Sequence, residues 1–185
     1  PSASRSSGLV AANPERQGVA GRKAGPGGNR TGILRYGGGL AGKRLELARE
    51  LVPVMTKLGV LVGPESVGQR RDLETSGRAV GVELVAVDVR SLNEIEPALL
   101  NLVNAGVQAV MVLSDSLFFG VHQRISAQAI SAHLPTIWTA REMAMGGGFV
   151  SYGVDESESF RRAGYYVEKI LTGTSPGNLP IELPT

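Results

Sequence analysis

The sequence contains no cysteine, which excludes disulfides, thiolate metal sites and cysteine nucleophiles. This absence does not identify a compartment, because many exported bacterial proteins also lack cysteine. Only 5% of the 185 residues are aromatic and the formal net charge is +2, so the chain offers little to stack on bases or to attract phosphates. We therefore expect no nucleic-acid partner.

Long apolar runs are also missing. No stretch approaches the roughly 20 residues that a membrane-spanning helix needs, and the first residues lack the charged-then-apolar order of a signal peptide. The sequence predicts a soluble chain. The composition that is present, 42% hydrophobic and 19% charged, is ordinary for a globular protein with a full core.

Strand and helix patterns alternate through most of the chain. Residues 1–30 are rich in Ser, Gly, Pro and Arg without a sustained period, and we expect most of this segment to be mobile or divergent. An extended piece follows at 31–36. The predicted strands are 58–62, 83–89, a run that opens at 109, 136–139 and 149–152, and the predicted helices are 42–52, 66–80, 92–105, 118–133 and 156–171. This alternation predicts an α/β fold, a doubly wound parallel sheet with helices on both faces.

Polar side chains directly follow the most apolar predicted strand, whose sequence AVMVL begins at Ala109. They are Ser114, Asp115 and Ser116. Ligands bind beyond the carboxyl ends of parallel strands, so we expect these residues to serve as polar anchors for a ligand. An equally good interpretation is that Asp115 or Ser116 caps the helix that follows.

Other candidate ligand-binding residues fall in the neighbouring strand-end loops. Glu65 and Ser66 follow the strand at 58–62, and Ser66 also suits the start of the next helix as a cap. Glu142 follows the strand at 136–139. Phe118 and Tyr152 lie where aromatic rings could form an apolar wall for an organic ligand.

A different site is conceivable at GGGLAGK, which runs from Gly37 to Lys43. It matches the G-x-x-x-x-G-K part of a phosphate-binding loop, but Arg44 stands where a Ser or Thr should hold magnesium. A degenerate nucleotide-binding protein is therefore an alternative function. Catalytic and metal sites find no support, since His122 and His133 lack the spacing of a metal pair and no G-x-S-x-G turn is present. We expect no cofactor.

Several stretches carry a resemblance to a known family. They are GPGGNRTGI at 25–33, LAGKRLELARELVP at 40–53, SDSLFF at 114–119, GGGFVSYG at 146–153 and RRAGYYVEKILTGTSPGNLPIELPT at 161–185. In this order and spacing, the sequence resembles the substrate-binding proteins of ABC transporters, specifically uncharacterised periplasmic components related to tryptophan and tyrosine binders.

The resemblance implies a type I periplasmic binding protein. Such proteins are not enzymes: two α/β domains close on a small solute, here an aromatic or branched amino acid or a related compound. It further implies an ABC permease as partner and a periplasmic or extracytoplasmic location. On this basis residues 31–42 are an interdomain crossing, 43–150 the ligand-binding domain and 151–185 a return segment that would pack on a first domain.

The sequence departs from the family pattern at two loops and at its start. Gly63-Pro64 replaces the usual Asn-Pro, Asp115-Ser116 replaces Asp-Pro, and the residues before Gly25 do not resemble the expected first domain. We expect most of that domain to be absent, which would expose the apolar face of the helix at 156–171. A further alternative is therefore a truncated copy that acts only through self-association, with a homodimer formed by this helix.

Overall fold

The computed structural model describes residues 6–10, 29–34 and 40–182, and at 6–10, 34 and 156 it describes the backbone. The strands are β1 Ser6–Val10, β2 Arg30–Leu34, β3 Lys57–Val62, β4 Glu83–Asp88, β5 Ala109–Val112, β6 Thr136–Trp138, β7 Val150–Ser151 and β8 Ile181–Glu182. The α-helices are α1 Leu40–Leu51, α2 Val67–Val80, α3 Ile95–Asn104, α4 Ser116–Phe119, α5 His122–Ser131, α6 Arg141–Met145 and α7 Glu156–Leu171. Short 3-10 helices lie at Leu92–Glu94 and Pro176–Asn178.

The chain divides into two compact units. The first combines Pro1–Gly37 with Val154–Thr185, and the second is Gly38–Gly153. Each unit has its own sheet. None of the helices in the described ranges is long and apolar enough to cross a membrane.

The second unit is built on a parallel sheet of five strands in the order β4-β3-β5-β6-β7. Successive side chains of a strand point to opposite faces, and both faces of β5 are buried: Val110 and Val112 pack in one apolar cluster, Met111 in the other. The first cluster includes residues of α3 and α5, and the second includes residues of α1 and α2. The predicted doubly wound α/β fold is confirmed.

Helix boundaries differ from the prediction mainly between β5 and β7. The single helix predicted for 118–133 is two helices, α4 and α5, with Gly120 and Val121 between them. Asp115 caps α4 and starts it earlier than apolar periodicity indicates. The short helix α6 lies in a segment predicted as a loop, whereas α7 has the predicted bounds.

The first unit contains a parallel sheet in the order β1-β2-β8. Strand β1 lies within the segment 1–30, for which the sequence predicts no strand, and Ser6–Val10 pairs residue by residue with Arg30–Leu34. Such pairing is remote in sequence, and local composition carries no signal for it. The rest of the segment predicted to be mobile lies outside the described residues, apart from Asn29 and Arg30.

Hydrogen bonds connect side chains of helix α7 to strand β8 and to the residue before it. Arg162 donates from Nε and Nη2 to the two carboxylate oxygens of Glu182, at 2.6 and 2.7 Å. The hydroxyl of Tyr166 donates to the carbonyl oxygen of Pro180 at 2.8 Å. The hydrogen bond from Arg162 is the main reason that the pKa of Glu182 lies below its ordinary value of 4.5.

Replacing Glu182 with Gln should make the first unit less stable at neutral pH and remove part of its acid sensitivity. Because the pKa of Glu182 is lowered in the folded state, its contribution is complete above pH 4.5 and is lost as the pH falls through the folded pKa. Urea midpoints of wild type and E182Q should therefore differ at pH 7 and converge at acid pH. Glu50→Gln, at an exposed residue of α1, is the control; equal midpoints for E182Q and wild type at pH 7 would contradict the expectation.

Candidate functional site

The strand order of the second unit reverses direction between β3 and β5, and we call the edge of the sheet at the carboxyl ends of these two strands the crevice. After β3 the chain passes to β4, which lies on one side of β3 in the sheet. After β5 it passes to β6, which lies in the opposite direction. The loops after β3 and β5 therefore leave in opposite directions, the arrangement at which ligands bind in open α/β sheets. Five predicted site residues meet here: Glu65, Ser66, Ser114, Asp115 and Ser116.

Asp115 joins the two loops of the crevice from a buried position. Its Oδ2 accepts the backbone N–H of Glu65 at 2.7 Å, and its Oδ1 accepts the N–H of Leu117 at 3.0 Å, which caps α4. Gly63 leaves the necessary room, since a Cβ there would lie 2.2 Å from the Asp115 Cγ. The carboxylate thus has the capping role considered above. It retains free lone pairs, so ligand contact by Asp115 stays a prediction.

Glu65 and Ser116 form a second, exposed bridge across the crevice. The Ser116 hydroxyl donates to the Glu65 Oε1 at 2.9 Å, and the Ser116 N–H approaches the Glu65 Oε2 at 3.4 Å. Because both residues are exposed, this bridge forms polar surface that a ligand could rearrange at small cost.

Ser66 and Ser114 are held by backbone hydrogen bonds. The buried Ser66 hydroxyl accepts the N–H of Gly63 at 2.8 Å and donates to its carbonyl oxygen at 3.0 Å. Ser66 stands at the cap position of α2, but the expected side-chain cap is wrong because its hydroxyl closes this turn instead. The side-chain amide of Gln69 forms two hydrogen bonds with the backbone of Ser114: its Nε2 donates to the carbonyl oxygen at 2.9 Å, and its Oε1 accepts the N–H at 3.2 Å. Gln69 was not predicted as a site residue, because its only signal in the sequence is its place in the first turn of α2.

The aromatic residues of this edge are placed differently from expectation. Phe118 is 0% exposed and packs in the core with Ile125 and Trp138, so in this conformation it presents no surface to a ligand. Its neighbour Phe119 is 50% exposed. Successive helical residues differ by about 100° around the axis. Phe118 and Phe119 therefore point in different directions, and only the ring of Phe118 enters the core.

After β6, two polar side-chain atoms are buried without a partner in the described residues. Thr139 Oγ1 and Glu142 Oε2 are inaccessible to solvent and have no hydrogen-bond partner in the described part of the chain. Tyr152 is partly exposed. These residues share an edge with the crevice because the strands are parallel. Thr139 was not predicted as a site residue, because the sequence pattern places it within the strand 136–139.

The geometry around Arg44 does not favour a phosphate-binding loop. Helix α1 begins at Leu40, so Gly42 and Lys43 lie in its first turn, and 37–39 lie outside the described residues. Arg44 is buried and donates from Nε to the carbonyl oxygen of Tyr152 at 2.7 Å. A buried guanidinium bound to backbone therefore replaces the hydroxyl that would hold magnesium.

Metal-binding clusters are not found within the described ranges, where no three His, Asp or Glu residues could hold an ion together. The Nδ1 atom of His122 lies 2.7 Å from the carbonyl oxygen of Phe119, consistent with an N–H donor. His133 follows Ala132, the C-cap of α5, and has a φ of 56°, in the left-handed region.

Comparison with known proteins identifies the family. A family model described as ABC transporter substrate binding protein matches residues 13–184. The chain belongs to this family. It is 24% identical over 159 residues to a tyrosine-binding protein of Clostridioides difficile, a match that covers 84% of this chain and 45% of that protein.

Solved structures show the same fold. A conserved domain protein from Vibrio cholerae has a TM-score of 0.84 at 22% identity, covering 94% of this chain and 58% of the other. A domain from Streptococcus pneumonia in complex with L-Trp has a TM-score of 0.81 at 22% identity, covering 92% and 59%. The chain therefore spans about half to three fifths of the length of these relatives.

Replacing Asp115 with Ala should destabilise the second unit. Two backbone N–H groups would lose their acceptor, which costs about 1–3 kcal/mol of unfolding free energy for a buried group. Urea unfolding followed by circular dichroism measures this loss. Ser116→Ala, which breaks only the exposed bridge, should cost less than about 0.5 kcal/mol. A D115A variant no less stable than S116A would show that the carboxylate does not hold the loops.

Proposed function

We propose that the protein is the solute-binding component of an ABC transport system and binds a small organic ligand at the carboxyl ends of the strands of its second unit. The ligand class is an aromatic or branched amino acid, or a related compound. Binding would proceed by closure of a cleft over the ligand, without any bond being made or broken. Family membership supports the transport role.

The observation that carries this proposal is that Thr139 Oγ1 and Glu142 Oε2, which both follow β6, are buried without a hydrogen-bond partner in the described residues. Ser126 Oγ and Gln128 Oε1 of α5 share this property, but only Thr139 and Glu142 follow the carboxyl end of a strand. Buried polar atoms in native proteins nearly always have a partner, and a buried carboxylate oxygen without one is costly. A ligand ammonium has three N–H donors and a positive charge, and therefore suits a carboxylate and a hydroxyl together. We assign the amino group of the ligand to these two oxygens.

Polar and aromatic surface completes the proposed site. Ser114, Ser116 and Glu65 offer hydroxyl, backbone and carboxylate groups on the crevice side, and Asp115 keeps spare acceptor capacity. Exposed rings at Phe119 and Tyr152 would form the walls. The tyrosine-binding relative and the structure solved with L-Trp support an aromatic ligand. An ABC permease as partner and an extracytoplasmic location follow from the same role.

Ligand screening by thermal shift tests the proposal. A ligand that binds only the native state raises its melting temperature by mass action, by an amount that grows with concentration. We expect L-tryptophan, L-tyrosine, L-phenylalanine or L-leucine to raise it and magnesium-ATP to leave it unchanged. A response to magnesium-ATP alone would favour the nucleotide alternative, and no response to any compound would contradict solute binding by this chain.

Two substitutions then localise the site. Glu142→Gln removes the charge that we assign to the ligand ammonium, and Tyr152→Ala removes one wall while leaving its backbone contacts with Arg44 and Trp138 in place. Each should weaken the affinity measured by calorimetry on the order of tenfold or more, equivalent to about 1.4 kcal/mol. Glu46→Gln, at an exposed position of α1, is the matched control. Unchanged affinity in both variants would place the ligand elsewhere.

A further inference from the structure

Arg44 is the residue that interrupts the phosphate-binding pattern at 37–43, and it is only 3% exposed. Burying a guanidinium is costly unless hydrogen bonds replace its contacts with water. Its Nε donates to the carbonyl oxygen of Tyr152 at 2.7 Å. A hydrogen bond from a charged donor is roughly twice as strong as one between neutral groups. A strong contact therefore connects α1 to the residue that follows β7.

Strand β7 has little pairing of its own to fix this end. It consists of Val150 and Ser151 and is last in the sheet order, where it pairs with β6. Short strands at the edge of a sheet open locally at a low cost in free energy. Beyond the strand, the Tyr152 N–H donates to the carbonyl oxygen of Trp138 at 3.0 Å. Together with the bond from Arg44, this contact holds both backbone polar groups of Tyr152.

Gly153 restricts the backbone on the other side of Tyr152. A Cβ at this position would lie 1.7 Å from the carbonyl oxygen of Thr139 and 3.5 Å from Nη2 of Arg44. Residue 153 therefore lies directly against the end of β6 and has no room for a side chain. Because the allowed rotamers of a side chain depend on its backbone dihedrals, a fixed backbone at Tyr152 limits the directions that its ring can take.

We propose that Arg44 is a positioning residue for solute binding: it fixes the backbone of Tyr152 and so orients the ring that we assign to a wall of the site. This inference rests on the proposed function. A binding group that is held in place before the ligand arrives loses less conformational freedom on binding. Without the bond from Arg44, the ring has to be ordered by the ligand, and the affinity falls.

Two substitutions of equal length separate this hydrogen bond from the rest of the guanidinium. In Arg44→Gln, the amide nitrogen stands at the same place along the side chain as the arginine Nε and can donate to the Tyr152 carbonyl, whereas in Arg44→Met a methyl group stands there. Both remove the charge and the terminal nitrogens. Calorimetry with L-tryptophan and L-tyrosine should show R44M binding about tenfold more weakly than R44Q.

Arg49→Met, at an exposed position of the same helix, is the matched control and should bind as wild type. Equal affinities of R44Q and R44M overturn the proposal. If wild type binds neither amino acid, the proposed function fails and this inference fails with it, so the two failures are distinguishable.

A double substitution with Tyr152→Ala tests whether Arg44 acts through the ring. Substitutions that act independently have additive effects, whereas those at residues in contact do not. In the Tyr152→Ala background the difference between R44Q and R44M should disappear, since no ring is left to orient. A difference that remains as large shows that Arg44 only stabilises the unit, and overturns the proposal. Circular dichroism selects the folded variants; if R44M is unfolded, R44Q is compared with wild type in both backgrounds, where the same disappearance is expected.

Discussion

The carboxylate of Asp115 is the contact on which the edge of the second unit depends. It accepts N–H groups from the loop after β3 and from the first turn of α4, so one buried side chain joins two loops that the strand order sends apart. Gly63 has to lack a side chain for the carboxylate to fit. Asp115 holds the backbone of both loops in place, and this brings Glu65 and Ser116 close enough to form their exposed hydrogen bond in the same crevice.

Much of the fold could be predicted because its signals are local. The strand β5 is an apolar run too short for a helix, and α7 has helical periodicity ending at Thr172-Gly173, so both were located from sequence. Strand β1 could not be, since its partner β2 lies some twenty residues away in sequence and its composition resembles that of a loop. The start of α4 depends on a cap at Asp115, and from the sequence alone ligand contact was an equally good role for this residue.

The grouping of these strand-end residues at one edge of the sheet could be predicted, but their contacts could not. Parallel strands place their carboxyl ends at one edge, and this rule is sufficient to select Ser114, Ser116 and Glu142 from the order of elements. Which of Phe118 and Phe119 enters the core depends on a rotation of about 100°, which the sequence does not specify. No sequence pattern marks Gln69 or Thr139. Gln69 matters because its side chain binds the backbone of Ser114, and Thr139 because its hydroxyl is buried without a partner in the described residues.

Asp115 and Glu142 differ in a way that separates stabilising the fold from binding a ligand at this edge of the sheet. Both carboxylates follow buried parallel strands, yet Asp115 is satisfied by two backbone donors, whereas one oxygen of Glu142 is buried without a partner in the described residues. A satisfied buried group stabilises the fold and has little to gain from a ligand; an unsatisfied one gains most when a donor arrives. We therefore infer that the crevice between β3 and β5 is the rigid support, and that recognition depends more on the ends of β6 and β7. Changes at Asp115 are then expected to lower stability more than affinity, and changes at Glu142 to lower affinity more than stability.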